Sequence, residues 1–556
     1  MDMPKRFPMM KREINKRREL VAGKVEKMKK LPIILLLSFI LCLCGVMAMP
    51  VMAYEIPVYI RIGLTYRYKD VDTVPIMSPS VAVGYEQDGV FYEAGVITAS
   101  AQFSMIPVNM HYVKLMKSYS DYASARAAAD AFITLGHKAA PCLAGIGTWY
   151  VYLGGYPTEA DAVNVHNSLI EETAIATANN RRTALMDGSR VAALFDHPNL
   201  FPQFLDAQGG YMRLTERTYR GRVEFGRYKG DKLTAVNVVP LEEYLYSVVP
   251  SEMPAGWHTE ALKAQACAAR NYAITSMGRF ADEGYDLCDS ILSQVYLGVG
   301  NEANSAIQAV NATKGMLILY GGKPINAVYF SSSGGRTENS ENVWSAAEPY
   351  YRSVPELFET GYKEWMRVIT LAQLDSVLTA NGADIGAATG MYIGSYNSAG
   401  RVGELVITGA KGSITLVKEQ IRTYFASLPG GSLESRNFQL STGTLATVPT
   451  EISITNGTIQ STALLPGIVI TADGQTKTTI ASSGTVMVKG NGTTANYAAS
   501  SVTGVAGSVT GKDIIITGKG WGHAVGMSQY GAKGMAENGY TFAQILAYYF
   551  QGVIVQ

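Results

Sequence analysis

Val248-Val249-Pro250-Ser251-Glu252-Met253-Pro254, followed by the alanine-rich run Thr259-Glu260-Ala261-Leu262-Lys263-Ala264-Gln265-Ala266-Cys267-Ala268-Ala269-Arg270-Asn271-Tyr272-Ala273, is the stretch on which the reading of this chain turns. Glu252 lies between apolar residues and two prolines, so its backbone is stiff and its surroundings are poor in water. Such a setting raises a carboxyl pKa and lets the acid donate a proton near neutral pH. The run behind it predicts a helix near Thr259–Met277. Leu262, Ala266, Ala269 and Ala273 form an apolar stripe at helical spacing, while Lys263 and Arg270 share another face. Small side chains let this helix pack close to whatever carries Glu252. Alone the pattern is weak, because a single Glu ahead of a helix is more often a cap or a solvated acid.

Other blocks accompany it in a fixed order. Leu241-Glu242-Glu243-Tyr244-Leu245 lies upstream; Gln294-Val295-Tyr296, Ser332-Ser333-Gly334-Gly335-Arg336-Thr337, Val343-Trp344 and Pro349-Tyr350 lie downstream. Gly520-Trp521-Gly522-His523-Ala524-Val525-Gly526-Met527-Ser528-Gln529-Tyr530-Gly531-Ala532 comes last. Together with Glu252-Met253-Pro254 and the helix run, these blocks resemble the signature of the stage II sporulation protein D family, which also contains the amidase-enhancer proteins of bacterial cell walls.

The resemblance implies a chemistry. A glycoside hydrolase usually needs two carboxyl groups, whereas a lytic transglycosylase needs one. Its acid protonates the glycosidic oxygen after N-acetylmuramic acid, then takes the proton from that sugar's own 6-hydroxyl, which closes on the anomeric carbon. A 1,6-anhydro end forms and no water is consumed. The family is linked to this reaction on peptide-free glycan strands, and by motif Glu252 is the acid/base, a role that contributes about 10²- to 10⁴-fold. Lys263, Gln265 and Arg270 are expected to orient Glu252 or bind sugar oxygens. Gln294, Ser332, Ser333, Gly334 and Gly335 are expected to line the substrate site. Trp344 is either a stacking platform or a core residue. His523, between glycines with Ser528 and Gln529 nearby, is expected to approach substrate. The family usually has Gly after that His; here it is Ala524.

Some members bind zinc through a His-Cys pair just before Gln-Val-Tyr and an upstream Cys. Cys288 matches the upstream position, but Leu292 and Ser293 stand where the pair would be. The chain has six histidines, and only His258 and His523 fall within the catalytic blocks, so four nitrogen or sulfur ligands are hard to assemble. No metal and no cofactor are expected. A serine hydrolase is excluded because no Gly-x-Ser-x-Gly elbow lies near a His.

The formal charge of +1 hides an asymmetry. Residues 1–30 carry eleven Lys/Arg and four Asp/Glu, and residues 31–53 carry none, so the rest of the chain stands at −6. A nucleic-acid partner, which wants a basic footprint, is not expected. Met28-Lys29-Lys30, the apolar run Leu31–Ala48 and then Val51-Met52-Ala53 read as a secretory signal cut after Ala53, with an uncleaved membrane anchor as the alternative. Met28 could itself be a start. Neither Cys42 nor Cys44 follows a small residue, which argues against a lipoprotein site. On either reading the body of the protein is extracytoplasmic, secreted to the wall or anchored in the cytoplasmic membrane by the N-terminal segment. Cys142, Cys267 and Cys288 remain beyond the signal, an odd number without CxxC spacing, so no disulfide framework is indicated.

In chain order, 54–107 alternates with period two and predicts short strands. Residues 108–172 predict strand Tyr112–Leu115, helix Ser120–Leu135, strand Trp149–Tyr156 and helix Thr158–Leu169, two similar halves with helices on a sheet. This segment resembles a sporulation-related (SPOR) repeat domain, a family that binds peptide-free glycan; Tyr150, Tyr152 and Tyr156 could stack on sugars or fill a core. Residues 211–440 are the expected catalytic domain, 441–510 a β-rich insertion without assigned chemistry, and 511–556 the catalytic domain's C-terminal part, closing with helix Phe542–Tyr549. The expected fold is a multi-domain, β-rich α+β protein with a helical catalytic segment and a small SPOR-like insertion. The expected function is an exported lytic transglycosylase of peptidoglycan in engulfment or wall remodelling. The alternative is a non-catalytic activator of an N-acetylmuramoyl-L-alanine amidase, and a wall amidase is the implied partner.

Overall fold

The computed structural model describes residues 54–359, 364–442 and 513–556, and between 443 and 512 only the backbone of short strands. The expected signal or anchor over 1–53 lies outside the described residues, as does most of 441–510. Within that insertion, Thr485–Gly490 pairs antiparallel with Thr493–Ala498. The described chain is a β-rich α+β protein with several sheets.

Among the described residues one large sheet runs, edge to edge, through Leu287–Cys288, Tyr59–Gly63, Thr234–Pro240, Arg222–Gly226, Gln203–Asp206, Ser80–Gln87 and Val90–Thr98. The strands expected in 54–107 are therefore shared out: Tyr59–Gly63 pairs with Thr234–Pro240, and Ser80–Gln87 with Gln203–Asp206. Phe103–Pro107 joins a second sheet, where it pairs with Thr183–Asp187.

That second sheet contains the 108–172 segment. His111–Leu115, helix Tyr122–Thr134, Ala139–Gly145, Thr148–Tyr156, helix Glu159–Ser168 and Thr173–Ala176 follow one another as βαββαβ. Both helices begin on a side-chain cap: Asp121 accepts from the Ser124 N–H and Thr158 from the Asp161 N–H. Strands Ala139–Gly145 and Thr173–Ala176 are additions to the sequence reading. Tyr152 is buried, with its hydroxyl on Asp196 at 3.0 Å, so it fills the core and does not face a sugar. Tyr150 is half-buried beneath the Lys114 ammonium, which sits 3.6 Å from its ring centre.

Between the sheets and the site lie two helices. Leu241–Glu252 buries Leu241, Tyr244, Leu245, Val248 and Val249, which recur at helical spacing. It ends because Met253 precedes Pro254 and is forced into extended backbone, φ −135° and ψ 127°. Thr259–Thr275 then buries residues all round its axis, including Leu262, Ala266, Ala269 and Ala273 at zero exposure. It packs against helices Leu241–Glu252, Asn304–Ala312, Gln529–Glu537 and Phe542–Tyr549. A second core gathers Trp365 to Leu440 with Ile514 and Ile516, because strand Ile514–Lys519 pairs on one side with Glu364–Ile369 and on the other with Phe438–Thr442.

Candidate functional site

Glu252 is the last residue of its helix and is half-buried. Its Oε1 accepts the Val295 N–H at 3.3 Å, and its carboxyl also hydrogen-bonds Tyr329. Burial raises its pKa, and those two hydrogen bonds pull it back down only in part. The net effect is an acid that keeps its proton to higher pH than a free glutamate.

A directed line of hydrogen bonds ends on that carboxyl. The Tyr244 hydroxyl donates to Gln294 Oε1 at 3.2 Å, and Gln294 Nε2 donates to the Tyr329 hydroxyl at 3.0 Å. With its oxygen accepting from Gln294, the Tyr329 hydroxyl has its proton to offer to Glu252. Burial, and then the charge on Glu252, raise the Tyr329 pKa far above the ordinary phenol range, so it stays a donor. Gln294 is itself 1% exposed, so its role is to position Tyr329 and not to touch substrate.

The C-terminal block closes on the same place. Tyr329–Phe330 pairs parallel with Met527–Ser528. This seats Gln529, whose Nε2 donates to the Glu252 carbonyl at 3.0 Å. His523 lies between the rings of Phe330, at 5.6 Å, and Trp344, at 5.3 Å. Its Nδ1 accepts the Val525 N–H at 3.1 Å, and the ring also bonds the Tyr329 backbone. Burial, with Arg422 next, pushes its pKa down to about 3, so it is neutral and serves as a brace for the strand carrying Tyr329. The ring is half-buried and keeps part of its surface open. Trp344 is 37% exposed, an aromatic face open to solvent beside that stack, and not a core residue. Ala524 has φ +67°, the left-handed region where glycine is at ease, which gives the family's usual Gly its physical reason.

The Ser-Gly loop gathers around a carboxylate that the sequence reading did not single out. Glu359 Oε1 accepts from the Ser333 N–H at 2.6 Å and the Ser528 hydroxyl at 2.8 Å; its Oε2 accepts from the Gly334 N–H at 2.8 Å and the Ser333 hydroxyl at 3.0 Å. Ser332 is 2% exposed and bridges Trp521 through its backbone, so it does not line an open surface; Gly335 is exposed. The loop is braced from the second core: Arg401 Nη2 donates to the carbonyls of Ser333 and Arg336 at 2.6 and 2.7 Å. Arg401 and Arg436 both face the buried carboxylate of Glu338.

Three other expected site residues make no hydrogen bond to Glu252 among the described residues. Arg270 has no exposed surface and forks onto Glu242 at 2.9 and 2.6 Å, which makes it a structural tie between the two helices. Lys263 pairs with Glu260 at 2.7 Å. Gln265 is fully buried, with no partner for its amide among the described residues. Cys288 does meet the residue at the family's metal position, with its Sγ 3.4 Å from Ser293 Oγ and 3.3 Å from Ser290 Oγ. Leu292 is 63% exposed, and no group of three or more His, Cys, Asp or Glu among the described residues is arranged to hold a metal. Cys142, Cys267 and Cys288 are all free and buried. A cavity of about 280 Å³ lies on the large sheet, lined by Arg61, Glu86, Gln203, Glu224 and Tyr228 among others, and no expected site residue lines it.

The fold and the site are those of a multi-domain, β-rich α+β protein with the half-buried Glu252 carboxyl at the end of a core helix. Residues 229–320 match the family model described as stage II sporulation protein, and the chain is similar to proteins of that family. It is 31% identical over 312 residues to a Bacillus subtilis protein named amidase enhancer, a match covering 55% of this chain and 39% of that protein. With the Bacillus subtilis stage II sporulation protein D it shares 28% over 333 residues, 57% of this chain and 75% of that one. An uncharacterized protein of Brachyspira hyodysenteriae is 27% identical over 387 residues, 69% and 84% of the two chains.

Proposed function

We propose that this protein is an exported lytic transglycosylase that cleaves peptide-free peptidoglycan strands to 1,6-anhydro-N-acetylmuramic acid ends during sporulation or wall remodelling. The observation that carries it is Glu252, a half-buried carboxyl whose pKa burial raises and on which the Tyr244–Gln294–Tyr329 line converges. Raised, it is protonated to donate to the glycosidic oxygen; once ionised, the Tyr329 and Val295 donors stabilise it until it takes the 6-hydroxyl proton. Trp344, exposed beside His523, offers a sugar ring a flat partner.

Residues 1–53 deliver the protein across the cytoplasmic membrane. The βαββαβ piece is proposed as a SPOR-like second glycan contact carried by Tyr150 and Tyr156, and replacing both with Ala should lower retention on stripped sacculi; unchanged retention removes this part. For the main reading, stripped strands are incubated with wild type and with Glu252→Gln and the products read by mass spectrometry. Anhydro-ended fragments from wild type alone are expected. Binding without cleavage by either protein would move the assignment to activation of a wall amidase, the second reading, which the amidase-enhancer relative favours.

A further inference from the structure

The Ser333–Gly334 loop and Ser528 hold a carboxylate in a manner that exceeds what a surface glutamate needs. Two backbone N–H groups and two hydroxyls, each within 3.0 Å, satisfy both oxygens of Glu359. The donors are fixed before any ligand arrives. Ser333 is fully buried, Gly334 is at φ +74°, and the loop's carbonyls are pinned by Arg401, whose side chain is 2% exposed. Ser528 is fully buried as well and begins the Gln529–Glu537 helix, adding the positive end of a helix dipole. A Cβ at Gly334 would meet the Lys519 backbone at 2.9 Å, so the close approach of this loop depends on glycine. Glu359, in contrast, sits on a half-buried loop and reaches the donors only with its side chain.

The nest is joined to the acid by a single step along the chain, since Ser528 binds Glu359 and Gln529 binds the Glu252 carbonyl. Removing the peptide from a muramic acid residue leaves a free lactyl carboxylate on that sugar. We infer that the Ser333, Gly334 and Ser528 donors form the subsite for this lactyl carboxylate, which Glu359 fills in cis when no strand is bound. The inference rests on the glycan reading above and adds the group by which a stripped strand is told from a peptide-bearing one. In a stem-bearing strand that carboxyl is an amide, with no charge and a bulky substituent, and it cannot replace Glu359.

The test uses the full chain with Glu252→Gln, which holds strands without cutting them, and two probes. One is a soluble stripped glycan oligomer; the other is the same oligomer with its lactyl carboxyls converted to methylamides. Affinity for the carboxylate form should exceed that for the amide form by about tenfold, the usual worth of hydrogen bonds to a charged group. Adding Ser528→Ala or Ser333→Ala should bring the two forms together. Adding Glu359→Gln, which weakens the internal competitor, should strengthen binding of the carboxylate form. Equal affinity for the two forms, or weaker binding by Glu359→Gln in a protein that still melts cooperatively, overturns the subsite. The failures are separable in wild type: equal cleavage of both probes removes the subsite and leaves the lytic reading, whereas discrimination without cleavage removes the lytic reading and leaves the subsite.

Discussion

Replacing Tyr329 with Phe deletes one hydroxyl that stands between Gln294 and Glu252. In the native protein that hydroxyl donates to the ionised carboxylate and so lowers its pKa, in opposition to burial. A hydrogen bond to a charged group is worth about 1.5–3 kcal/mol. Without it the Glu252 pKa should climb further. Because the reaction starts from the protonated acid, the alkaline limb of the pH–rate profile should move up with it. The substitution also leaves Gln294 Nε2 with only the Ala269 carbonyl at 3.4 Å, at a stability cost of about 1–2 kcal/mol. The assay is the initial rate of anhydro-end formation on stripped strands from pH 5 to 10, with stability followed by urea unfolding. An alkaline limb that stays in place, or moves to lower pH, would refute the relay.

Arg270→Ala leaves Glu242 without its guanidinium inside the helix pair and should destabilise the protein by about 3–5 kcal/mol, read by denaturant unfolding, as expected of a structural tie. Ala524→Gly relieves a left-handed alanine and should raise stability by up to about 1 kcal/mol, read by thermal melting. Glu356, whose carboxyl burial raises to about 7 against the Tyr549 hydrogen bond and with help from the charge on Glu359, binds its proton more tightly folded than unfolded. Its contribution is therefore complete below the unfolded carboxyl value near 4.5 and is lost as pH rises towards 7. Glu356→Gln should flatten that fall, on the order of 2 kcal/mol after allowance for its partial exposure.

The central helix was legible from the stripe Leu262, Ala266, Ala269 and Ala273 at helical spacing, but not its burial all round, because Lys263 and Arg270 read as an open face. Leu241–Glu252 carries the same periodic signal in Leu241, Tyr244, Leu245, Val248 and Val249, but Pro250 reads as a breaker. Pro250 falls in the helix's last turn, where it forgoes the bond its N–H would have made to the Tyr246 carbonyl, and the helix stops two residues later. The βαββαβ segment revealed its helices through runs such as Ala125, Ala128, Ala129 and Phe132, whereas strand Ala139–Gly145, with four consecutive buried residues and no alternation, gave no period-two signal.

At the site the sequence located Glu252, Gln294 and Gln529, but not what they do, which depends on partners far along the chain. Tyr329 could be suspected only from its place just ahead of the Ser-Gly loop. Glu359 had no local signal at all: its four donors come from residues 333, 334 and 528. Arg270 misled because a cation on a motif helix looks available until Glu242, on a neighbouring helix, is seen to take it.

The most direct test of the account is cleavage of stripped strands in water enriched in oxygen-18. A single acid/base at Glu252 that closes the sugar's own 6-hydroxyl onto its anomeric carbon consumes no water, so the new ends should be anhydro and carry no label. New reducing ends bearing oxygen-18 would mean that water is the nucleophile, and would contradict the assignment of a lytic reaction to this site.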